Sequence, residues 1–489
     1  MDLKTYLSKR GYAFDKNQEN EALCKELRKE LTVKPYVNPL MPTEAVEFPV
    51  YRESPSKFYV PRVYGLKRFG VPGSMKIGEG TSAPGLVFAG SLRPRQEAPV
   101  AAFLEAAADP LRMGGIMELA CAEGKTVMSL YIACQIRRQT LVIVHKEFLG
   151  NQWHERISQF VPNAKVGLIK QSKVVVEGMD IVLASLQSLA MRDYDESIFA
   201  GFGVVIIDEC HHTGAEVFSR ALSKVNSKVM MGLSATVQRK DGLSKVFEWC
   251  IGAPVYTIRR REDPDVTIIA QHYFSDDVAY CMEKTMYNGK VNFAATITGI
   301  VTYAPRNDQL VTELVQILQA EPCRKVLILS ERRGHLDALR NLIEERGTGK
   351  TMGYYVGGMK EADLKASEGM DILLATYAMA SEGMDIPGLD TLILASPVSS
   401  IEQPIGRILR QKPEDRKHIP LVLDLIDDFS IFMGQGKKRL TFYKKQGYRI
   451  MSHYGEDATA KKSSCRKSSR RDMAADQEPK FDTFLFRKE

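Results

Sequence analysis

Cys121-Ala122-Glu123-Gly124-Lys125-Thr126 follows an apolar stretch and precedes a helix-like one, and that placement constrains the fold more than any other feature of the chain. Gly-Lys-Thr between a strand and a helix is the heart of a phosphate-binding loop. Backbone N–H groups and the helix N-terminus hold the phosphates, Lys125 neutralises them, and the Thr126 hydroxyl can ligate Mg²⁺. A second string, Asp208-Glu209-Cys210-His211, follows Val204-Val205-Ile206-Ile207. That β-branched run reads as a buried parallel strand, and it delivers Asp208 and Glu209 at its carboxyl end, where ligands sit in an open α/β sheet. Asp208 is placed to hold Mg²⁺ and Glu209 to orient an attacking water. Together the two strings describe a nucleotide hydrolase.

The rest of the chain supplies the sheet such a site needs. From about Gly90, short β-branched runs alternate with helical stretches: Thr140 to His145, Ile181 to Ser185, Val204 to Asp208 and Val229 to Ser234. This is the rhythm of a parallel sheet with covering helices. It pauses over a polar, aromatic stretch from about Pro264 to Arg306. It resumes with Lys325 to Ser330, Asp371 to Thr376, Thr391 to Ala395 and Pro420 to Ile426. The expected organisation is an N-terminal accessory domain over 1–88, an ATP-binding α/β domain over 89–263, a linker over 264–305, a second α/β domain over 306–454 and a basic tail over 455–489. Only the first α/β domain carries a phosphate loop. In 1–88 a charged, helix-like stretch from Lys16 to Leu31 gives way to proline-interrupted aromatic text, which suits short strands and turns. In the tail, Lys461, Lys462, Arg466, Lys467, Arg470 and Arg471 alternate with serines, which leaves open a solvated tail or one that attracts nucleic acid.

At 489 residues the chain is long enough for several cores. No apolar run approaches the roughly 20 residues of a membrane span, and Met1-Asp2-Leu3-Lys4 lacks the apolar stretch of a secretory signal. The eight cysteines form no Cys-x-x-Cys pair, so neither a metal site nor a disulfide framework is expected, and an intracellular compartment is.

Other elements stand in a fixed order around the two strings. Ser91-Leu92-Arg93-Pro94-Arg95-Gln96 lies upstream, where Gln96 could read an adenine edge. Ser185-Leu186-Gln187-Ser188-Leu189 and Ser234-Ala235-Thr236 each accompany a strand end. In the second half, Ser381-Glu382-Gly383-Met384-Asp385-Ile386-Pro387 follows a strand and Gln403-Pro404-Ile405-Gly406-Arg407-Ile408-Leu409-Arg410 comes last. This ordered set, over about residues 90 to 450, resembles the superfamily-two helicases. Gly232-Leu233-Ser234-Ala235-Thr236 running on to Arg239-Lys240-Asp241-Gly242-Leu243 looks like the branch that holds XPB, the phage UvsW protein and the poxviral transcript-release helicase. Tyr51-Arg52-Glu53-Ser54, Val60-Pro61-Arg62 and Phe442-Tyr443-Lys444-Lys445 look like helicases of large DNA viruses.

The resemblance implies two tandem RecA-like domains and a nucleic-acid-stimulated ATPase that uses ATP and Mg²⁺. It implies catalytic roles for Lys125, Asp208, Glu209, Gln403, Arg407 and Arg410, the two arginines reaching the γ-phosphate from the second domain. Gln96, Cys121, Ala122, Glu123, Gly124, Lys125, Thr126 and Asp385 would bind the nucleotide, with Thr126 and Asp208 on the metal. The implied partner is nucleic acid, DNA rather than RNA, lying near Ser185 to Ser188, Gly357-Gly358 and Ser381 to Gly383, with transcription or replication machinery beside it and no membrane. Most members have glycine where this chain has Ala122, which puts nucleotide affinity in question. Strand separation, double-strand translocation without unwinding, an ATP-gated scaffold with little turnover and the motor of a restriction nuclease all remain open on these residues.

Overall fold

Three sheets organise the computed structural model, whose described residues are 3–36, 45–120, 123–210, 214–235, 241–258, 265–381, 384, 386, 388–411 and 413–454. The first α/β unit is an eight-stranded sheet in the order 173–175, 166–170, 181–185, 140–144, 204–207, 229–234, 114–119, 254–258. All its pairs are parallel except the first, between Val166–Lys170 and Lys173–Val175. The central strands are buried end to end. Thr140–Val144, Val204–Ile207 and Val229–Ser234 are buried at every position, as continuous apolar runs in a doubly covered parallel sheet should be.

The second α/β unit is a seven-stranded, all-parallel sheet in the order 352–355, 372–376, 326–330, 391–394, 421–427, 267–273, 449–451. Both units are mixed α/β with parallel sheets, the architecture of tandem RecA-like domains. The stretch expected as a linker, 264–305, instead contributes a strand and a helix to the second unit. Thr267–Tyr273 is an inner strand of the second sheet, pairing on one side with Leu421–Asp427 and on the other with Arg449–Met451. Phe293–Thr302 is a helix that buries Ile297, Ile300 and Val301 in the same core. The strand escaped notice because its apolar run, Val266 to Ala270, is short and is flanked by Arg261-Glu262-Asp263 on one side and Gln271-His272 on the other.

Residues 5–75 form a five-stranded sheet, antiparallel except where Thr5–Ser8 meets Ser74–Met75. Tyr12, Phe14, Phe58 and Leu27 fill its core. Aromatic side chains of this layer pack on one another: Tyr51 stacks on Phe58 with centroids 5.1 Å apart, and Phe69 on Tyr12 at 5.7 Å. The helix Glu21–Glu30 lies inside the charged stretch expected to be helical. This layer docks on the first α/β unit through Arg62, whose Nη1 and Nη2 donate to the carbonyls of Ser227 (2.5 Å) and Lys228 (3.2 Å). The basic tail beyond Tyr454 lies outside the described residues.

Candidate ATP site

The strand Gly114–Leu119 leads to the phosphate loop, and the helix Lys125–Ile136 leaves it. Gly124 caps that helix in the left-handed region, φ 83° and ψ 39°. A side chain there would be strained, and its first carbon would also fall 2.3 Å from Gln96 Nε2; only glycine serves. The first-turn N–H groups of the helix have no acceptor within it, and they sit beside Lys125 and the half-buried Thr126.

Glu209 arrives from the end of a nearby strand. The strand Val204–Ile207 is one strand removed from Gly114–Leu119, with Val229–Ser234 between them. All three are parallel, so their carboxyl ends share one edge. The Asp208 amide still donates to the Ile143 carbonyl (3.0 Å), and the chain then turns sharply, with Glu209 at φ 45°. A non-glycine residue in that region stores strain on the order of 1–3 kcal/mol. The turn brings Glu209 Oε1 to 2.6 Å from Lys125 Nζ, both side chains less than one-fifth exposed. Asp208 lies deeper. Its Oδ2 accepts from the Trp153 indole N–H at 2.8 Å and its Oδ1 from the Glu209 amide at 3.0 Å.

Burial raises the Asp208 carboxyl above its ordinary range, and the Glu209 charge raises it further; Lys125, the Trp153 bond and the Glu209 amide pull it back. Among the described residues, two carboxylates and one lysine meet in a partly desolvated place. Such a donor set, with a hydroxyl at Thr126 and a helix N-terminus for anions, suits a magnesium–phosphate pair.

Trp153 is the member of this cluster that the sequence reading missed. It lies with Leu149 and Ile157 on the buried face of the helix Glu147–Phe160. A tryptophan at an i, i+4, i+8 spacing reads as core, and only the 2.8 Å bond to Asp208 reveals the polar duty of its N–H. The opposite face of the same helix touches the second unit: Asn151 Nδ2 donates to Glu361 Oε2 (3.0 Å), and Glu155 pairs with Lys365 (2.7 Å). Glu155 and Lys365 are more than half exposed, so that pair is weak and easily opened.

The Thr126-to-Glu209 edge thus unites two strings that lie far apart in the chain. The protein named "Putative ATP-dependent RNA helicase L396" of Acanthamoeba polyphaga mimivirus is 34% identical to this chain over 470 residues, covering 94% of this chain and 89% of that protein. The chain belongs to the viral superfamily-two helicases. As such it is an ATP-dependent helicase that binds nucleic acid. Residues 89–239 of the helicase match the family model described as the type III restriction enzyme, res subunit. "Putative helicase 161L" of Invertebrate iridescent virus 6 is 28% identical over 343 residues, covering 66% of this chain and 74% of that one. The crystal structure of T4 UvsW aligns with a TM-score of 0.35 at 17% identity, over 92% of this chain and 99% of that one. Among the described residues, no helix is long and apolar enough to cross a membrane.

Other expected site residues of the helicase fall differently. Gln96 does not present an amide edge at the surface. It is buried; its Nε2 donates to the Glu123 carbonyl (3.0 Å) and its Oε1 accepts from the Arg93 amide (3.0 Å). It caps the helix Pro94–Ala108 and braces the phosphate loop, because a glutamine three residues into a helix folds back on its own N-terminus. Arg407 and Arg410 do not share a helix face. The helix Glu402–Ile408 ends between them, with Leu409 already at φ −113° and ψ 24°. They converge nonetheless on one carbonyl, Met384 O, from Arg407 Nη1 (2.7 Å) and Arg410 Nη2 (3.1 Å); Arg407 Nε also holds Ala380 O (2.6 Å). Gln403 is half-buried on that helix. Ser188, expected toward nucleic acid, is buried and its hydroxyl accepts from the Gln171 amide (2.9 Å). Cys121, Ala122, His211, Thr236 and Asp385 lie outside the described residues.

Proposed function

We propose that this helicase is an ATP-driven DNA motor in which the edge formed by Lys125, Thr126, Asp208 and Glu209 hydrolyses ATP and the arginines of the second unit sense it. The observation that carries the reading is the 2.6 Å contact between Lys125 and Glu209 at the carboxyl edge of a parallel sheet, with Asp208 held beside them. The first-turn amides and Lys125 bind the β- and γ-phosphates. Lys125 exchanges Glu209 for phosphate oxygen, which frees that carboxylate to face the water. Glu209 orients the water and takes its proton as oxygen bonds to the γ-phosphorus; the bond from that phosphorus to the bridging oxygen breaks, and ADP carries the electron pair away. Thr126 and Asp208 would hold Mg²⁺, which when bound supplies charge neutralisation to the phosphates. Trp153 keeps Asp208 in one rotamer. Arg410 lies just past the end of its helix, where a guanidinium can leave the Met384 carbonyl for a γ-phosphate on closure of the two units.

DNA as the track is supported by the motif order shared with the XPB and UvsW branch. RNA is the second reading, favoured by the printed name of the mimivirus relative. Steady-state ATPase measured with single-stranded DNA, double-stranded DNA and RNA in turn separates them. Stimulation by either DNA above that by RNA is expected. Stimulation by RNA alone overturns the DNA reading, and forked against blunt duplexes then tell strand separation from translocation.

A further inference from the structure

A small cleft lies where the N-terminal sheet meets the helix Ala215–Leu222 and is lined by Arg10, Arg52, Tyr59, Arg62, Ser223 and Asn226 among others. Three guanidiniums line this cleft, and their partners set two of them apart. Elsewhere in the same layer each arginine closes its charge on acids: Arg28 holds Glu21 and Glu53, and Arg68 holds Glu26 and Glu30. Among the described residues no carboxylate forms an ion pair with Arg52 or Arg62. The acids nearby are spoken for, Glu196 by Arg10 and Asp193 by Lys224.

Arg62 is the telling group. Its side chain is buried, two of its nitrogens reach only neutral carbonyls, and its Nε–H is buried with no partner. Burial without a counter-charge pulls its guanidinium down to about 10, and the neighbouring Lys9 down to about 8. A desolvated cation that only carbonyls surround is costly to keep unless an anion completes it. Arg52 stands at the exposed rim, its Nη1 within 3.4 Å of the Ser223 carbonyl and hydroxyl. Residues 1–88 carry fourteen Lys and Arg against ten Asp and Glu, more than half of the chain's net charge of +7, so the layer as a whole favours a polyanion.

We propose that this cleft is a phosphate subsite, in which Arg62 at the floor and Arg52 at the rim take phosphodiester oxygens of the nucleic-acid strand. The inference rests on the nucleic-acid motor reading and extends it to a part of the chain with no motor motif. Guanidinium forks match phosphate oxygens in pairs. One arginine at depth and another at the rim suit a strand, which presents neighbouring phosphates, better than a lone phosphate ion. The contact is to backbone, so it adds affinity and anchors the track without reading sequence.

The test is equilibrium binding of a labelled single-stranded oligonucleotide to the full chain across a salt series, for wild type, Arg52→Ala and Arg52→Glu. Arg52 is exposed, so both variants fold. Each lost phosphate contact should flatten the log–log salt dependence by about 0.7, with weaker binding at low salt. Equal slopes in all three proteins overturn the subsite alone. If the wild-type chain binds no oligonucleotide at any salt, the motor reading falls with it. Inorganic phosphate is the other arm: a rise in melting temperature that Arg52→Glu abolishes, alongside equal salt slopes, assigns the cleft to a free phosphate and overturns the strand.

Discussion

The two parallel sheets bury charge in opposite ways. In the second unit Asp427 meets Arg306 through two bonds of 2.6 and 2.9 Å and accepts a third from Tyr280 (3.0 Å), while Arg306 also reaches the Ala395 carbonyl. Asp424 is closed in the same way by Arg439 (2.9 and 3.1 Å) and Tyr443 (2.8 Å). Each of these two carboxylates has its own guanidinium and phenol. In the first unit, among the described residues, Asp208 and Glu209 gather at Lys125, and Asp208 accepts from two N–H donors, the Trp153 indole and the Glu209 amide. A buried carboxylate closed by a guanidinium is architecture. A pair of carboxylates held by N–H donors and a lysine at the carboxyl edge of a sheet suits a cation and a phosphate.

If the contrast is right, breaking the first cluster should cost chemistry. Lys125→Ala and Glu209→Gln are expected to lower ATP turnover by about 10⁴-fold. Lys125→Ala should also weaken nucleotide binding, whereas Glu209→Gln should leave it within a few-fold, because the amide keeps the shape and loses only the base. Rates near wild type in Glu209→Gln, measured by phosphate release, would remove Glu209 from the chemistry. Arg410→Ala is next, with a loss of about 10³-fold in stimulated turnover, as for an arginine supplied to the γ-phosphate. Its nucleotide affinity should hardly change. Parallel losses of affinity and turnover would return Arg410 to the structural class of Arg306.

Trp153 sharpens the comparison at about tenfold. Trp153→Phe keeps the ring in the core and deletes the 2.8 Å bond to Asp208. Hydrogen bonds to charged groups contribute about 1.5–3 kcal/mol. Turnover should fall about tenfold or more, and the Mg²⁺ concentration for half-maximal rate should rise, beyond the modest drop in melting temperature that one lost hydrogen bond and a smaller ring bring. A drop in stability with no shift in the Mg²⁺ dependence would make Trp153 ordinary packing.

The sequence shows the sheets well and the polar wiring poorly, for one physical reason. Val204–Ile207, Val229–Ser234, Val326–Ser330 and Thr391–Leu394 fall on β-branched runs because a strand buried on both faces must be apolar throughout. Thr267–Tyr273 obeys the same rule over fewer residues and was lost among charged neighbours. Lys125 and Glu209 could be named from their strings because phosphate chemistry restricts which residues serve. Gln96 was named too, but its direction was not: whether an amide turns to a ligand or back to the Arg93 amide is decided by packing, which no spacing encodes. The same holds for the end of the Arg407 helix at Ile408.

His335 tests the second half of the contrast, with the smallest effect expected at neutral pH. It is buried beneath the second sheet, where Nδ1 accepts from the Ser330 hydroxyl (2.9 Å) and Nε2–H donates to Asn307 Oδ1 (3.0 Å). Asn307 Nδ2 donates to the Val301 carbonyl (2.8 Å), which fixes the amide orientation and so the neutral tautomer of the histidine. Burial, then the charge of Arg306, pushes the imidazole down to about 3. The unfolded chain takes up a proton near pH 6.5 that the folded one refuses. Stability from this group is therefore complete above about pH 6.5 and is lost as the pH falls from there toward 3, at up to roughly 1.4 kcal/mol per unit. Amide exchange in Val326–Ser330, corrected for its intrinsic pH dependence, should lose about 2 kcal/mol of protection between about pH 6.5 and 5. His335→Gln, which has nothing to titrate, should flatten that acid limb even if it lowers protection throughout. An unchanged slope in the variant would mean that the imidazole takes its proton inside the fold, and the second unit would then hold an unclosed charge of its own.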